Sequence, residues 1–269
     1  MDYAIEAFDL KKSFAAKSKT VEAVRGVCLS VKQGEIFGFL GPNGAGKTTC
    51  QRMLTTLLPL DGGRALVAGF DVKKQPQKVR EHIGYVSQAG GADLPATGRE
   101  NLRLAGRLYG MQRTAVERKI SEISRLLDLD GLLDRIVRTY SGGQKRRLEI
   151  ALGIIHAPDL LFLDEPTTGL DPQNRANLWA HIRKLKDNGM TVFLTTHYLD
   201  EADELADRLA IMDHGVIVAE GTPEELKSQV PEEEVTRRIQ REIQGKATLD
   251  DVFLKITGRQ LRDTGKDGV

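Results

Sequence analysis

Short apolar runs alternate with segments of helical periodicity along most of this chain. The runs at residues 36–40, 160–163 and 191–195 are almost wholly apolar, as expected of strands that are buried on both faces of a sheet. Helical patterns follow them, at residues 48–58 and at about 178–185. Strands that alternate with helices predict an α/β protein with a mostly parallel sheet and helices packed on it.

The first third of the chain adds further strands, and the middle adds a helical block. Val27, Leu29 and Val31 alternate with polar residues and end at a turn at Gly34, which is typical of a strand. Residues 66–69 and 83–86 are further strand candidates. From residue 99 to residue 133 the apolar positions recur at helical spacing, which predicts helices inserted between strands, at Leu102, Ala105, Leu108, Val116, Ile120, Ile123 and Leu127.

The pattern changes again near Gly221. Thr222 precedes a proline and has Glu225 three residues later, which predicts a capped helix start. A thin apolar stripe at residues 235–243 is typical of a solvated surface helix, and residues 248–254 begin another small apolar helix. We predict a main domain at residues 1–226, with a helical subdomain at about 90–157, and a short helical tail at 227–269.

Composition narrows the function classes. Lys and Arg number 39 and Asp and Glu 38, a net charge of +1 that disfavours a nucleic-acid binder working by bulk charge. No apolar run approaches the roughly 18 residues of a membrane-spanning helix, and we see no secretory signal at the N-terminus. Cys28 and Cys50 form no spacing pattern, so we expect reduced thiols.

A glycine-rich segment joins the strand at 36–40 to the helix that follows. It fits G-x-x-x-x-G-K-[ST], in which glycines bring backbone N–H groups close to phosphates, a lysine supplies positive charge and a hydroxyl binds Mg²⁺. The strand before it and the helix after it disfavour an incidental glycine-rich turn. The predicted nucleotide-binding residues are Gly41, Pro42, Asn43, Gly44, Ala45, Gly46, Lys47, Thr48 and Thr49.

Four polar residues follow the ends of three predicted strands. Asp164 ends an apolar strand and is predicted to hold Mg²⁺, and Glu165 beside it is a candidate general base. An ordinary acidic loop is the alternative for this pair. His197 and Gln88 follow two other strands, so parallel pairing would bring them to the same edge, although a lone His or Gln is usually structural. The amide of Gln88 can bridge Mg²⁺, the attacking water and a neighbouring protein.

Residues 141–144, Ser-Gly-Gly-Gln, match a capping box at a helix start. Together with the glycine-rich segment before them and residues 160–165 after them, they resemble the ATP-binding cassette (ABC) family in order and spacing. The resemblance implies a P-loop NTPase core with an antiparallel β subdomain and an inserted helical subdomain, and ATP and Mg²⁺ as ligands. It also implies that two copies hydrolyse ATP between them.

The resemblance assigns further roles. In the family, the segment of Ser141, Gly142, Gly143 and Gln144 caps the nucleotide bound to the other copy. Asp171, the predicted N-cap of the next helix, contacts that copy as well. His197 contacts the γ-phosphate, and Gln88 senses the membrane part of the transporter. Phe14 occupies the place of the aromatic that stacks on adenine, with a core position as the alternative.

Residues 140–149, 164–172, 194–203 and 252–259 narrow the resemblance to ATPase subunits of prokaryotic drug exporters of the daunorubicin-resistance type. Many members have Met and Gln where this chain has Gln144 and His197, which favours full hydrolytic competence here. The resemblance implies export of a hydrophobic, drug-like substrate through a separate ABC-2-type membrane permease. It places the subunit, as a peripheral protein, at the cytoplasmic face of the cell membrane.

Other functions fit less well. A non-transport ABC ATPase that acts on DNA or ribosomes is the main alternative. DNA-repair members insert a long coiled coil between the phosphate loop and residues 141–144, for which this chain has no room, and translation-type members carry two cassettes. We therefore expect no nucleic-acid partner. A kinase or GTPase would leave residues 141–144 unexplained.

Overall fold

The computed structural model describes residues 2–16, 19–230 and 249–258. Its central sheet has six strands, five of which run parallel while the edge strand β10 pairs antiparallel with β9. This confirms the predicted α/β class with a mostly parallel sheet. In spatial order the strands are β10 (Val216–Gly221), β9 (Arg208–Asp213), β3 (Ile36–Leu40), β8 (Thr191–Thr196), β7 (Leu160–Asp164) and β6 (Ile83–Val86).

A second, antiparallel sheet of four strands confirms the expected antiparallel β part of the fold. It contains β2 (Lys19–Lys32), β1 (Tyr3–Ala16), β4 (Gly62–Val67) and β5 (Phe70–Asp71) in that spatial order. The strand candidate at residues 66–69 overlaps the end of β4. Of β1 and β2, the sequence predicted only the end of β2, because the β1–β2 ladder shifts register four times. Each shift interrupts the alternation of apolar and polar residues that identifies a strand.

Helices fill the intervals between the strands. The predicted inserted block is present between β6 and β7 and consists of α3 and α4, with α5 following a short 3₁₀ turn. The helices are α1 (Lys47–Leu54), α2 (Pro76–His82), α3 (Gly98–Leu108), α4 (Arg113–Leu126), α5 (Gly142–Ile154), α6 (Pro172–Asp187), α7 (Leu199–Leu205), α8 (Pro223–Ser228) and α9 (Leu249–Thr257).

Helix α1 ends earlier than its apolar pattern predicted. Thr56 adopts a left-handed backbone (φ 62°), and the amides of Leu57 and Leu58 both bond back to Arg52 O. This is the closing turn of a helix, after which Leu57 faces solvent. The apolar pattern continues through the turn, which is why periodicity alone extended the helix to residue 58.

The central sheet is buried on both faces. Phe37 and Phe193 stack with ring centroids 5.7 Å apart, in the core between this sheet and the antiparallel sheet. A separate apolar cluster includes Leu40 and Leu226 and is covered by α9, whose Phe253 is fully buried. The apolar helix predicted at residues 248–254 is therefore confirmed, whereas the stripe predicted at 235–243 lies outside the described residues.

Candidate functional site

The loop at residues 41–46 requires glycine at specific points. A Cβ atom on Gly41 would lie 2.3 Å from Met212 O, and one on Gly46 would lie 2.3 Å from Ala23 O. Gly44 and Gly46 also adopt positive φ values, 80° and 108°. The glycines that the motif supplies therefore let this loop pass close to β2 and the end of β9.

The loop ends at the N-terminus of α1. The first N–H groups of a helix have no acceptor within it, and here the amide of Cys50 is the first to bond back, to Gly46 O at 2.9 Å. The amides of Lys47, Thr48 and Thr49 precede it. Such a helix start attracts anions, phosphate among them.

Lys47 is anchored inside the loop. Its Nζ donates to Gly41 O at 2.8 Å and Pro42 O at 3.1 Å, and lies 3.8 Å from Glu165 Oε1. Burial lowers the pKa of Lys47, and the charges of Glu165 and Asp164 oppose that shift. An ammonium group has three protons, so two carbonyl acceptors leave one donor for an oxygen in the site.

Asp164 is the last residue of β7 and is buried. Its Oδ1 accepts hydrogen bonds from Thr195 Oγ1 at 2.7 Å and from Thr48 Oγ1 at 3.1 Å. The carboxylate is thus oriented by β8 and meets the start of α1. Two oxygen donors of the kind that Mg²⁺ prefers, a hydroxyl and a carboxylate, are in contact here.

The side chain of Glu165 contacts several other residues of the site. Its Oε2 accepts from Gln88 Nε2 at 3.1 Å and from Thr168 Oγ1 at 3.2 Å, and its Oε1 lies 3.2 Å from His197 Nδ1. The contact with His197 is the main cause that lowers the pKa of Glu165; burial opposes the shift, and the charge of Lys47 adds to it. Glu165 is therefore an ionised carboxylate near neutral pH.

The backbone of Glu165 is unusual as well. Its φ is 46°, in the left-handed region that residues with a Cβ seldom adopt, and its amide bonds to Thr195 O at 3.1 Å. Backbone strain of this kind is concentrated at functional sites. Thr168 and Thr195 were not predicted from sequence; the only signal for Thr168 is its position three residues after Glu165.

A cavity of about 530 Å³ opens between these groups. Of the predicted residues, those that line it are Asn43, Gly44, Gly46, Lys47, Thr48, Thr49, Gln88, Glu165 and His197, joined by Ala23 and Thr168. Gly41, Pro42 and Asp164 are not lining residues but accept hydrogen bonds from Lys47 or Thr48, which are, and Ala45 is buried. Phe14, Asp171 and residues 141–144 are not among its lining residues.

Residues 141–144 and Asp171 form a second, contiguous surface. Ser141 caps α5 through the predicted capping box, since its hydroxyl accepts from Gln144 N and Gln144 Oε1 accepts from Ser141 N. Asp171 caps α6 by accepting from Asn174 N at 3.0 Å. A Cβ atom on Gly143 would lie 2.5 Å from Asn174 Oδ1, so glycine there lets the two helix starts pack together.

Phe14 lies on β1 opposite Val21, two residues along β2 from Ala23 of the cavity lining. Its ring is 41% exposed, and Lys12 Nζ is 5.7 Å from the ring centroid. The ring is therefore available on the surface instead of belonging to the core.

Arg146 is a residue of the site that the sequence did not single out. Its buried guanidinium donates to Ser87 O, Asp164 O and Pro166 O and pairs with Glu149. A charged pair three residues apart on a helix that packs against the sheet was the only available signal.

Comparisons with known proteins agree with this geometry. Residues 24–168 match the ABC transporter family. The chain is 50% identical over 227 residues to the daunorubicin/doxorubicin resistance ATP-binding protein DrrA of Streptomyces peucetius, covering 84% of this chain and 68% of the relative. It is 44% identical over 262 residues to the doxorubicin resistance ATP-binding protein DrrA of Mycobacterium tuberculosis, covering 97% and 73%.

Solved structures show the same fold. CbiO1 of Clostridium perfringens, part of an ABC transporter complex, superposes with a TM-score of 0.77 at 25% identity over 90% of this chain and 96% of its own. An ATP-binding cassette of an ABC transporter in its ADP conformation gives 0.75 at 28% identity, covering 90% and 100%. The chain therefore belongs to the ABC transporter family and is an ATP-hydrolysing subunit of the kind found in these transporters.

Proposed function

We propose that two copies of this chain close around two ATP molecules and that hydrolysis drives export through a separate membrane permease. The observation that carries the chemical part is the ionised Glu165, held by Gln88 and Thr168 in a cavity that also contains Lys47. Each site would combine this cavity in one copy with residues 141–144 of the other. The exposed starts of α5 and α6 support this division, since they are separate from the cavity lining.

The triphosphate would lie along the loop and the N-terminus of α1. Backbone amides and the remaining donor of Lys47 suit the β- and γ-phosphates. Thr48, Asp164 and Gln88 offer oxygen ligands for Mg²⁺, and the 3.1 Å contact between the first two fits a hard cation that takes its other ligands from phosphate and water. The bound ion would neutralise charge on the β- and γ-phosphate oxygens.

Hydrolysis requires a water molecule in line with the γ-phosphate. Glu165 is placed to accept a proton from this water as its oxygen bonds to phosphorus and the bond to the β-phosphate oxygen breaks. His197 and Gln88 contact Glu165 from two sides and would orient it and the water. The exposed Phe14 would stack on adenine, and Asp171 would contact the second copy.

A groove next to Gln88 suits the membrane partner. It has a volume of about 480 Å³ and is lined by Ser87 and Gly90 together with apolar side chains of α3 and with Leu57 from the turn after α1. Leu57, Leu104 and Leu108 are more than half exposed on its walls. Apolar surface of this kind is typical of a docking site, and we assign it to an ABC-2-type permease.

The relatives indicate the direction and the cargo class. Two are named for resistance to daunorubicin or doxorubicin and a third as a probable multidrug ABC transporter protein, so we propose export of a hydrophobic, drug-like compound. Among the described residues, no helix has both the length and the apolar character needed to cross a bilayer. We propose that the subunit lies at the cytoplasmic face of the membrane, bound to the permease through the groove next to Gln88.

The test is affinity purification from detergent-solubilised native membranes followed by mass spectrometry. We expect a multi-span membrane protein to co-purify with the wild type, and to be lost from the double variant Leu104→Asp with Leu108→Asp. Val218→Asp, at a partly exposed apolar position on β10, is the matched control and should retain the partner. Recovery with ribosomal or DNA-associated proteins instead would refute the exporter function and leave the ATPase activity standing.

A further inference from the structure

The buried pair of Arg146 and Glu149 joins three segments of the site. Both side chains are more than nine-tenths buried, and Arg146 Nη1 lies 2.9 Å from Glu149 Oε2. The same guanidinium donates from Nη1 to Ser87 O at 2.8 Å, from Nε to Pro166 O at 2.8 Å and from Nη2 to Asp164 O at 3.1 Å. One side chain of α5 therefore binds the loop after β6 and the loop after β7 together.

The three carbonyl groups flank the two residues that matter for hydrolysis. Ser87 precedes Gln88, and Asp164 and Pro166 stand on either side of Glu165. Gln88 and Glu165 contact each other at 3.1 Å. Glu165 also has the left-handed φ of 46°, a conformation that persists only where the surroundings hold it. Arg146 supplies such a hold by binding the carbonyl groups on both sides of it.

Glu149 shapes the turn that carries Gln88. The Ser87 hydroxyl donates to Gly90 O at 3.1 Å, and the Gly90 amide donates to Ser87 O at 3.1 Å. A Cβ atom on Gly90 would lie 2.0 Å from Glu149 Oε1, so this turn packs directly on the carboxylate. Glu149 thus compensates the charge of Arg146 and provides the surface on which the turn rests.

Stability does not require a charged pair at this place. Replacing a buried ion pair by apolar residues of similar volume is often neutral or stabilising. An apolar pair, however, offers no donors to the three carbonyl groups, whereas the planar guanidinium offers five in a fixed geometry. An apolar pair would therefore lack the hydrogen bonds by which Arg146 connects the loop after β6 to the loop after β7.

We propose that Arg146, held by Glu149, is a positioning residue for ATP hydrolysis that aligns Gln88 with Glu165. Its hydrogen-bond partners are Ser87, Asp164, Pro166 and Glu149, none of which belongs to the loop at 41–46 or lines the ATP cavity, so its loss should lower turnover and leave nucleotide affinity unchanged. The two buried side chains act as a unit, because removing either one would leave the other as an unpaired buried charge.

The test measures steady-state hydrolysis per folded molecule together with the affinity for a fluorescent ATP analogue. Arg146→Lys keeps the charge but loses the planar fork, and we expect kcat to fall at least tenfold while the affinity changes less than twofold. The double variant Arg146→Met with Glu149→Leu leaves no unpaired buried charge, so it should have a higher unfolding midpoint than Arg146→Met alone without regaining kcat. Arg103→Lys, in the surface pair with Glu117, is the matched control and should leave kcat unchanged.

A purely structural pair would give the opposite pattern. In that case the apolar double variant would recover kcat together with stability, which would refute the positioning role. The role would also be refuted by folded Arg146→Lys protein with wild-type kcat, or by a loss that appears in nucleotide affinity instead of in kcat. Because these measurements use the purified chain, they are independent of the permease and of the exporter proposal.

Discussion

Replacing Glu165 by glutamine tests the assignment of the general base most directly. The amide has nearly the shape of the carboxylate, so its oxygen can still accept from Gln88 and Thr168. It cannot take a proton from water. Loss of general base catalysis typically costs 10²- to 10⁴-fold in rate, which corresponds to about 3–5 kcal/mol of transition-state stabilisation.

The same substitution should favour the nucleotide-bound state. Glu165 Oε1 lies 3.8 Å from Lys47 Nζ, and removing its charge leaves more of the positive potential of Lys47 for phosphate. We therefore expect Glu165→Gln to bind ATP at least as tightly as the wild type and to accumulate as an ATP-bound dimer. Phosphate release and size-exclusion chromatography with and without ATP and Mg²⁺ measure the two effects.

The pH dependence gives a further check on this assignment. The pKa of Glu165 is below its ordinary value of 4.5, so its base form is fully present at neutral pH and disappears only as the pH falls through the lowered value. We expect no acid limb from Glu165 in kcat/KM between about pH 6 and pH 8.

For the Glu165→Gln substitution, the charge-matched control is Glu122→Gln on the exposed face of α4. A folded Glu165→Gln protein with turnover within fivefold of the wild type would refute the reasoning.

Three further substitutions test separate parts of the structure. Lys47→Ala should weaken ATP binding about 10- to 100-fold, since it removes charge-assisted contacts worth about 1.5–3 kcal/mol, and calorimetric titration showing unchanged affinity would contradict this. Burial raises the pKa of Glu201 above 4.5, so the wild type loses free energy of unfolding as the pH rises from 4.5 towards that raised value. In urea unfolding, Glu201→Gln should therefore become more stable relative to the wild type over this interval. A stability difference that does not change with pH would disprove the raised pKa of Glu201. Phe253→Ala should lower the free energy of unfolding by about 3–5 kcal/mol, because the ring is fully buried. Leu254→Ala is the control and should cost far less, because Leu254 is exposed. Equal losses for the two variants in denaturant unfolding would show that α9 is not docked.

Local signals in the sequence were sufficient for much of the fold. The apolar runs at β3, β7 and β8 identified buried parallel strands, because a strand covered on both faces has few polar positions. The helix starts at Ser141, Asp171 and Thr222 were also predicted, since a cap depends on residues only two or three positions apart. The glycine-rich loop was also predicted from a local signal, because its backbone conformation depends on the glycines within it.

The contacts that orient the polar residues at the ends of β6, β7 and β8 depend on the tertiary fold. Thr168 and Thr195 orient Glu165 and Asp164, and Arg146 joins the loops after β6 and β7, yet the sequence assigned no role to any of these three. Thr195 and Arg146 act across long separations along the chain, where periodicity carries no information about which groups meet. Their partners are backbone carbonyls and carboxylates whose positions follow from the order of strands in the sheet. The sequence by itself therefore predicted which residues carry the chemistry, and the tertiary structure alone decided which residues hold them in place.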